Sequence, residues 1–434
     1  ASEFHARGDK RSRSGDYDGA IRDFSEALRL RPGYGLAYSG RGIARVMKGD
    51  FDEGITDLTE AVRLNPKDSD AFLNRGLAWE RKQQLGKAES DYSEAARLTP
   101  ADWRAFFNRG NVRQRKGQLD DAIRDYTAAI DQDPENTTAI YQRGRILLMK
   151  DDTDGAIRDF DEAVRIKPAY AAAYTTRGTA WGMKGDLDRA LADLSAAIRL
   201  DGNDADAFYN RGVTWGKKGD GNKAIEDYTE AIRLNPSTTG AHYNRGLARR
   251  SRGELAPAIA DFTDAIRLNP RDAEAHNDRG IAWKESGNLA KAVEDYTEAI
   301  RLNPQHFKAL FNRGNAMSGS SEWARAAADY SEAIRLGLRT ADIYINRGRA
   351  WQYLTEHEKA LGDYNEAIRL RPNDRDAIRH RDELEIALRG KQSNEPKPSA
   401  SIVPAGVAIL AAVAIGGLVA YKLWSRWSKP EGSL

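Results

Sequence analysis

Apolar residues along this chain return at spacings of three and four in paired blocks, each pair divided by a short Gly-Asp break. Residues 205–236 show the pattern. Phe208 and Gly212 lie one helical turn apart before Gly219-Asp220, and Ala224, Tyr228 and Ala231 follow at spacings of four and three. Such spacing predicts two helices per unit, the first over positions 2–14 and the second over positions 17–30. The unit recurs every 34 residues. Its Arg-Gly pair stands at 7–8, 41–42, 75–76, 109–110, 143–144, 177–178, 211–212, 245–246, 279–280, 313–314 and 347–348, giving eleven copies without an insertion. A period of this length with two helices per unit predicts an all-α solenoid, in which each repeat packs mainly on its neighbours. Positions below are numbered within the unit, Arg7 being position 7.

The boundaries carry their own chemistry. Gly15, Gly49, Gly117, Gly185, Gly219, Gly253 and Gly287 sit at the break, where glycine accepts the left-handed conformation that ends a helix and a following Asp or Asn caps the next. Proline at position 32, from Pro32 to Pro372, stops the second helix, with Gly202 and Leu338 as the two substitutes. Small residues mark close approach: Gly at position 8 and Ala at position 27 throughout. Bulky partners stand opposite them, such as Phe72, Phe106 and Phe208 at position 4 and Tyr92, Tyr126 and Tyr228 at position 24.

Gly at position 8, Ala at 20 and 27, an aromatic at 24 and Pro at 32 together resemble the tetratricopeptide repeat, over residues 1–372. The resemblance implies an antiparallel helix pair per repeat, stacked into a right-handed superhelix of more than one turn whose concave face is lined by the first helices. Residues 373–389 then read as a capping helix, with Ala377, Leu384 and Leu388 on one side to shield the last repeat.

Charge adds a second regularity. Acids and bases are interleaved, and a net charge of +2 argues against a nucleic-acid tail. Arg at position 7 and Asp at position 23 recur in every unit, one on each helix. A residue that serves every unit points to a structural ion pair. The alternative is an arginine ladder for phosphate or nucleic acid. Arg at position 29, three residues after Glu at 26, reads as a solvated pair on one helix face.

Positions that vary on the first-helix face are where a partner would be chosen: 2, 5, 6, 9, 12 and 13 by the family's geometry. Position 6 is Asn in Asn74, Asn108, Asn210, Asn244, Asn312 and Asn346. An amide offers a donor and an acceptor, so it can pair with the backbone of an extended peptide whatever its sequence. This resembles the asparagine ladder of O-linked N-acetylglucosamine transferase. Position 5 adds Leu73, Phe107, Tyr141, Tyr209, Tyr243 and Phe311, and position 9 adds Ile43, Leu77, Val213, Leu247 and Ile281, as a partner-binding patch or as repeat core. Leu147, Leu148, Met149 and Met183 break the pattern in the middle repeats. A carboxylate clamp needs Lys at position 5 with Asn at 9. Asn111 and Asn315 are present and the lysine is not.

Nothing points to catalysis. The six histidines are scattered, there is no cysteine, and every glycine-rich spot is a helix boundary, so neither an enzyme, a metal site nor a cofactor is expected.

A polar linker over 390–401 precedes an abrupt change. Residues 402–421 carry no charge. Ile402 opens the stretch, Gly416 lies within it, and Tyr421 and Trp424 with Lys422 and Arg426 make an interfacial belt, so 402–424 reads as a transmembrane helix anchoring the solenoid to a lipid bilayer, with a short basic tail over 425–434. Basic residues flank both ends. With no leader visible, a tail-anchored protein with a cytosolic solenoid is the default, and a cleaved signal peptide would reverse it. Ala408, Ala412, Gly416 and Ala420 form a small-residue stripe suited to homo-oligomer formation. The chain thus reads as a membrane-anchored scaffold holding a partner protein or peptide on its concave face. The alternatives are a structural subunit assembling through its edges and anchor, and, less favoured by the charge pattern, a nucleic-acid binder.

Overall fold

The computed structural model describes residues 1–394, which form twenty-three α-helices with no strand among the described residues. The expected transmembrane helix at 402–424, with Ile402, Gly416, Tyr421 and Trp424, and the stripe from Ala408 to Ala420 lie outside the described residues. None of the described helices is long and apolar enough to cross a membrane. The described residues divide into two compact units, Ala1–Ala309 and a second that begins at Leu310.

In the first unit each repeat is an antiparallel helix pair, represented by Ala205–Lys218 and Gly221–Leu234. The break between them is a left-handed turn. Gly219 has φ +86°, and the Asp220 amide donates to the Trp215 carbonyl at 3.0 Å while its carboxylate caps the Lys223 amide. Four repeats lack the glycine, yet Gln83, Asp151, Ser321 and Thr355 hold φ of 60–63°. The packing of the pair fixes this turn, and the side chain bears the strain. Proline is similarly dispensable at the other end. With Gly202 in its place, the helix Leu187–Leu200 ends where its neighbours do. With Leu338, the helix Trp323–Arg335 stops sooner at a left-handed Gly337.

The core is a row of small-on-large contacts. A Cβ placed on any position-8 glycine would stand only 2.7–3.0 Å from the position-24 side chain, as for Gly212 against the Tyr228 ring at 2.8 Å. Ala224 and Ala231 on the facing helix are fully buried.

The Arg–Asp pair forms in all eleven repeats, with nitrogen–oxygen distances of 2.5–2.8 Å. Its carboxylates are 2–8 % exposed. The guanidinium does more than link its own helices. Arg211 also donates to Ser195 Oγ of the preceding repeat, and Arg41, Arg109, Arg143, Arg245 and Arg347 make the same bond to a Ser or Thr at position 25. Beneath it lies the position-4 ring, with Arg75 at 5.4 Å from the Phe72 centroid and Arg211 at 5.5 Å from Phe208. These arginines are engaged on three sides by the fold. The Glu–Arg pairs of positions 26 and 29 lie exposed on single helices, as at Glu230–Arg233.

In the second unit the helices Ala341–Tyr353 and His357–Leu370 form the last pair, capped by Arg375–Asn394. Leu384 packs with Ala360 and Tyr364, and Leu388 adds to that cluster. The cap extends beyond Arg389 to Asn394, into the stretch that composition assigns to the linker, because Gly390 and the polar residues after it continue the helical backbone.

Candidate interaction face of the first helices

Successive first helices of the first unit touch directly, as Gly35–Lys48 does Ser69–Arg81 and Ala171–Lys184 does Ala205–Lys218. Among the described residues no comparable packing joins successive second helices. The stack therefore bends toward its first helices, and they line its inner face.

Within each unit taken by itself, the position-6 asparagines of the first helices separate into two groups. Asn74 Nδ2 donates to its own helix at Asp70 O, 2.8 Å away. Asn244 Nδ2 donates to Tyr209 Oη of the preceding repeat at 3.3 Å, and Asn346 Nδ2 to Asn315 Oδ1 at 2.9 Å. Asn312 is also engaged. Asn108 and Asn210 are half-buried, and their side-chain amides make no hydrogen bond within the protein among the described residues, which leaves their full pairing capacity.

The position-5 aromatics are partly core. Phe107, Tyr141, Tyr209, Tyr243 and Phe311 each set a ring 5.8–6.1 Å from the position-24 ring of their own repeat. Their hydroxyls reach across to position 6 of the next repeat: Tyr141 to Thr176 at 3.2 Å and Tyr243 to Asp278 at 2.5 Å, besides Tyr209 to Asn244. Leu73 is buried outright. Of the position-9 residues, Ile43, Leu77, Val213 and Leu247 pack against core clusters. The patch that the sequence leaves open between core and surface is thus largely core at position 9 and shared at position 5.

Position 24 also reaches the first helix of its own repeat. Tyr92 Oη donates to Glu80, Tyr126 Oη to Asn111 and Gln114, Tyr330 Oη to Asn315, and Tyr364 Oη to Gln352, each at 2.7–2.9 Å. Burial pushes the Tyr330 hydroxyl up to about 12, so it acts as a neutral donor. Asn315, a residue a carboxylate clamp would use, already accepts two hydrogen bonds from within the protein.

Met149 and Met183, both at position 13, are 63 % and 56 % exposed, while Leu147 and Leu148 are half-buried. His242, His276 and His306 are buried. Burial opposes the charge on Asp295, but Arg279 and His276 outweigh it and hold the carboxyl below its ordinary range. Among the described residues no three His, Asp or Glu side chains are grouped to share an ion.

Sequence reasoning missed an alternation between positions 11 and 19. Where 11 is Arg, it adds a second hydrogen bond or ion pair to the buried aspartate: Arg45 to Asp57, Arg113 to Asp125, Arg249 to Asp261. Where 11 is Trp, position 19 is Lys or Arg, set over the indole: Lys87 on Trp79, Arg189 on Trp181, Lys223 on Trp215, Lys291 on Trp283 and Lys359 on Trp351, at 4.1–4.7 Å. The covariation of the two positions within the chain was the available signal. Also missed were Lys–Asp bridges between repeats, from Lys48 to Asp18 at 2.9 Å and likewise from Lys150 to Asp120 and Lys218 to Asp188.

Comparison with known proteins agrees with this architecture. A family model described as tetratricopeptide repeat matches residues 5–53, 40–102, 107–171, 243–306 and 284–317, more than half of the chain. Further models of the same description match 205–238 and 341–374, and one described as TPR repeat matches 183–219. No curated protein matches the chain. Solved structures similar to it include YrrB, described as a TPR protein with an unusual peptide-binding site, at 28% identity over 42% of this chain and 95% of that one, TM-score 0.39. MamA is 27% identical over 37% and 93%, TM-score 0.36, and yeast Tom70 is 17% identical over 91% and 99%, TM-score 0.37. With its phased glycines, its Arg–Asp ladder and its paired helices, the chain belongs to the tetratricopeptide repeat family.

Proposed function

We propose that this protein is a non-catalytic scaffold that holds a partner polypeptide along the face of its first helices. One observation carries the reading: the invariant charges are consumed by the fold, whereas Asn108 and Asn210 leave complete amide donor and acceptor sets on that face. Backbone pairing by such amides gives affinity without demanding a particular partner sequence. Replacing Asn108 and Asn210 together by Ala, followed by affinity capture and mass spectrometry, should deplete the retained partners while the melting temperature holds. Undiminished capture would place the partner elsewhere.

The uncharged run from Ile402 to Tyr421 with its Trp and Lys border supports a bilayer anchor. The full chain should float with phospholipid vesicles, and a chain ending at residue 401 should stay behind. Equal flotation of both would sink the anchor.

A further inference from the structure

In four repeats position 12 supplies a partner for the position-24 tyrosine. Glu80, Gln114, Ser318 and Gln352 supply a polar side chain that meets the tyrosine hydroxyl there. Repeat 7 has Gly216 instead. Its missing side chain opens a cavity of about 440 Å³, walled by Val213, Ala224 and Leu247 and bordered by Asn244. Tyr228 is 4 % exposed, lines this cavity, and has no hydrogen-bond partner for its hydroxyl among the described residues. A Cβ on Gly216 would stand 3.7 Å from that oxygen, so the hydroxyl lies where a position-12 side chain would otherwise reach.

The chemistry of the rim narrows the occupant. Asn244 gives one amide hydrogen to Tyr209, which leaves its other hydrogen and its carbonyl to pair with a backbone. Apolar walls, an unpaired hydroxyl donor and a partly free amide suit one apolar side chain of an extended chain whose backbone runs along the rim.

We propose that the cavity beneath Gly216 is an anchor site for an extended peptide segment: an apolar side chain enters against Val213, Ala224 and Leu247, and its backbone bonds Tyr228 and Asn244. The proposal rests on the first-helix face being the polypeptide-binding surface.

An array of random dodecapeptides probed with the full chain in detergent tests it, with G216Q as the plugging variant. Glutamine stands at this position in repeats 4 and 11 and accepts from the tyrosine there at 2.8–2.9 Å, so G216Q should fold and melt as the native chain does. Bound peptides should share one apolar residue and weaken at least about tenfold with G216Q, a loss near 1.4 kcal/mol. Y228F, which removes the donor without changing the ring, should weaken the same peptides by a smaller factor. Peptides held equally by the native chain, G216Q and Y228F overturn the anchor site and leave the wider face standing. An array that retains no peptide overturns both.

Discussion

The Arg211 guanidinium donates to both Asp227 oxygens, at 2.8 and 2.7 Å, and turns its remaining nitrogen to Ser195 of the repeat before it, so one side chain closes its own helix pair and joins two repeats. Asp227 is 5 % exposed. Removing its partner leaves a buried carboxylate uncompensated, which costs about 3–5 kcal/mol in a fully buried pair. With Arg211 in partial contact with water, R211M should cost about 2–4 kcal/mol in chemical unfolding. R7M should cost less, because Arg7 in the first repeat is 54 % exposed at its side chain. Equal losses at the two sites would contradict this account.

Close approach at Gly212 gives a second expectation. An added methyl meets the Tyr228 ring at 2.8 Å, and the ring is fixed among Ala224 and Ala231. G212A should destabilise by about 1–3 kcal/mol, read as a lowered unfolding midpoint. Gly86, whose Cβ would meet nothing within 4 Å, is the control, and G86A should leave the midpoint unchanged or raise it.

Thr355 holds φ +62°, a conformation that a β-branched side chain tolerates poorly. T355G should raise stability by about 1 kcal/mol, the released strain exceeding the entropy that glycine adds to the unfolded chain. The converse G219T should lower it. A T355G protein that melts earlier than the native chain would show the turn to be unstrained.

Trp215 and Lys223 form one of the two alternating arrangements, the ammonium 4.2 Å from the indole centroid. K223D should lose about 0.5–1 kcal/mol, and the double variant W215R/K223D should recover part of it, since arginine at position 11 reaches the buried aspartate in four other repeats. Additive losses would mean the two positions are independent.

Acid should weaken the aspartate ladder. The Arg7 hydrogen bond holds Asp23 below its ordinary range against burial, and Asp295 is likewise low. A carboxyl whose folded pKa lies beneath its unfolded value near 4 stabilises the fold above that value, and the contribution is lost as pH falls through the folded one. Asp363 runs the other way, because burial outweighs Arg347 and raises it, so its carboxylate disfavours the fold at neutral pH. The destabilisation by D295N, measured by urea unfolding, should therefore be larger at pH 7 than at pH 3.

The sequence by itself determined the repeat, its two helices, the turns between them and the Arg–Asp pair, because features shared by every unit are repeated in the same phase and local spacing is enough to read them. Even there the residue at a turn was less decisive than it looked, since Gln83 and Thr355 adopt the glycine conformation when the helix pair demands it. Only the tertiary structure decided which face residues are free. Asn210 and Asn244 are identical by sequence position, yet Asn244 is bound by Tyr209 from the preceding repeat and Asn210 is not, because position 5 before Asn210 is Thr175. Contacts of this kind join residues 35 apart across a repeat boundary and depend on the neighbour's side chain, which a pattern read one unit at a time does not contain. The same holds for Gly216, which the helix alone would count as a weak spot and the stack turns into an opening above Tyr228.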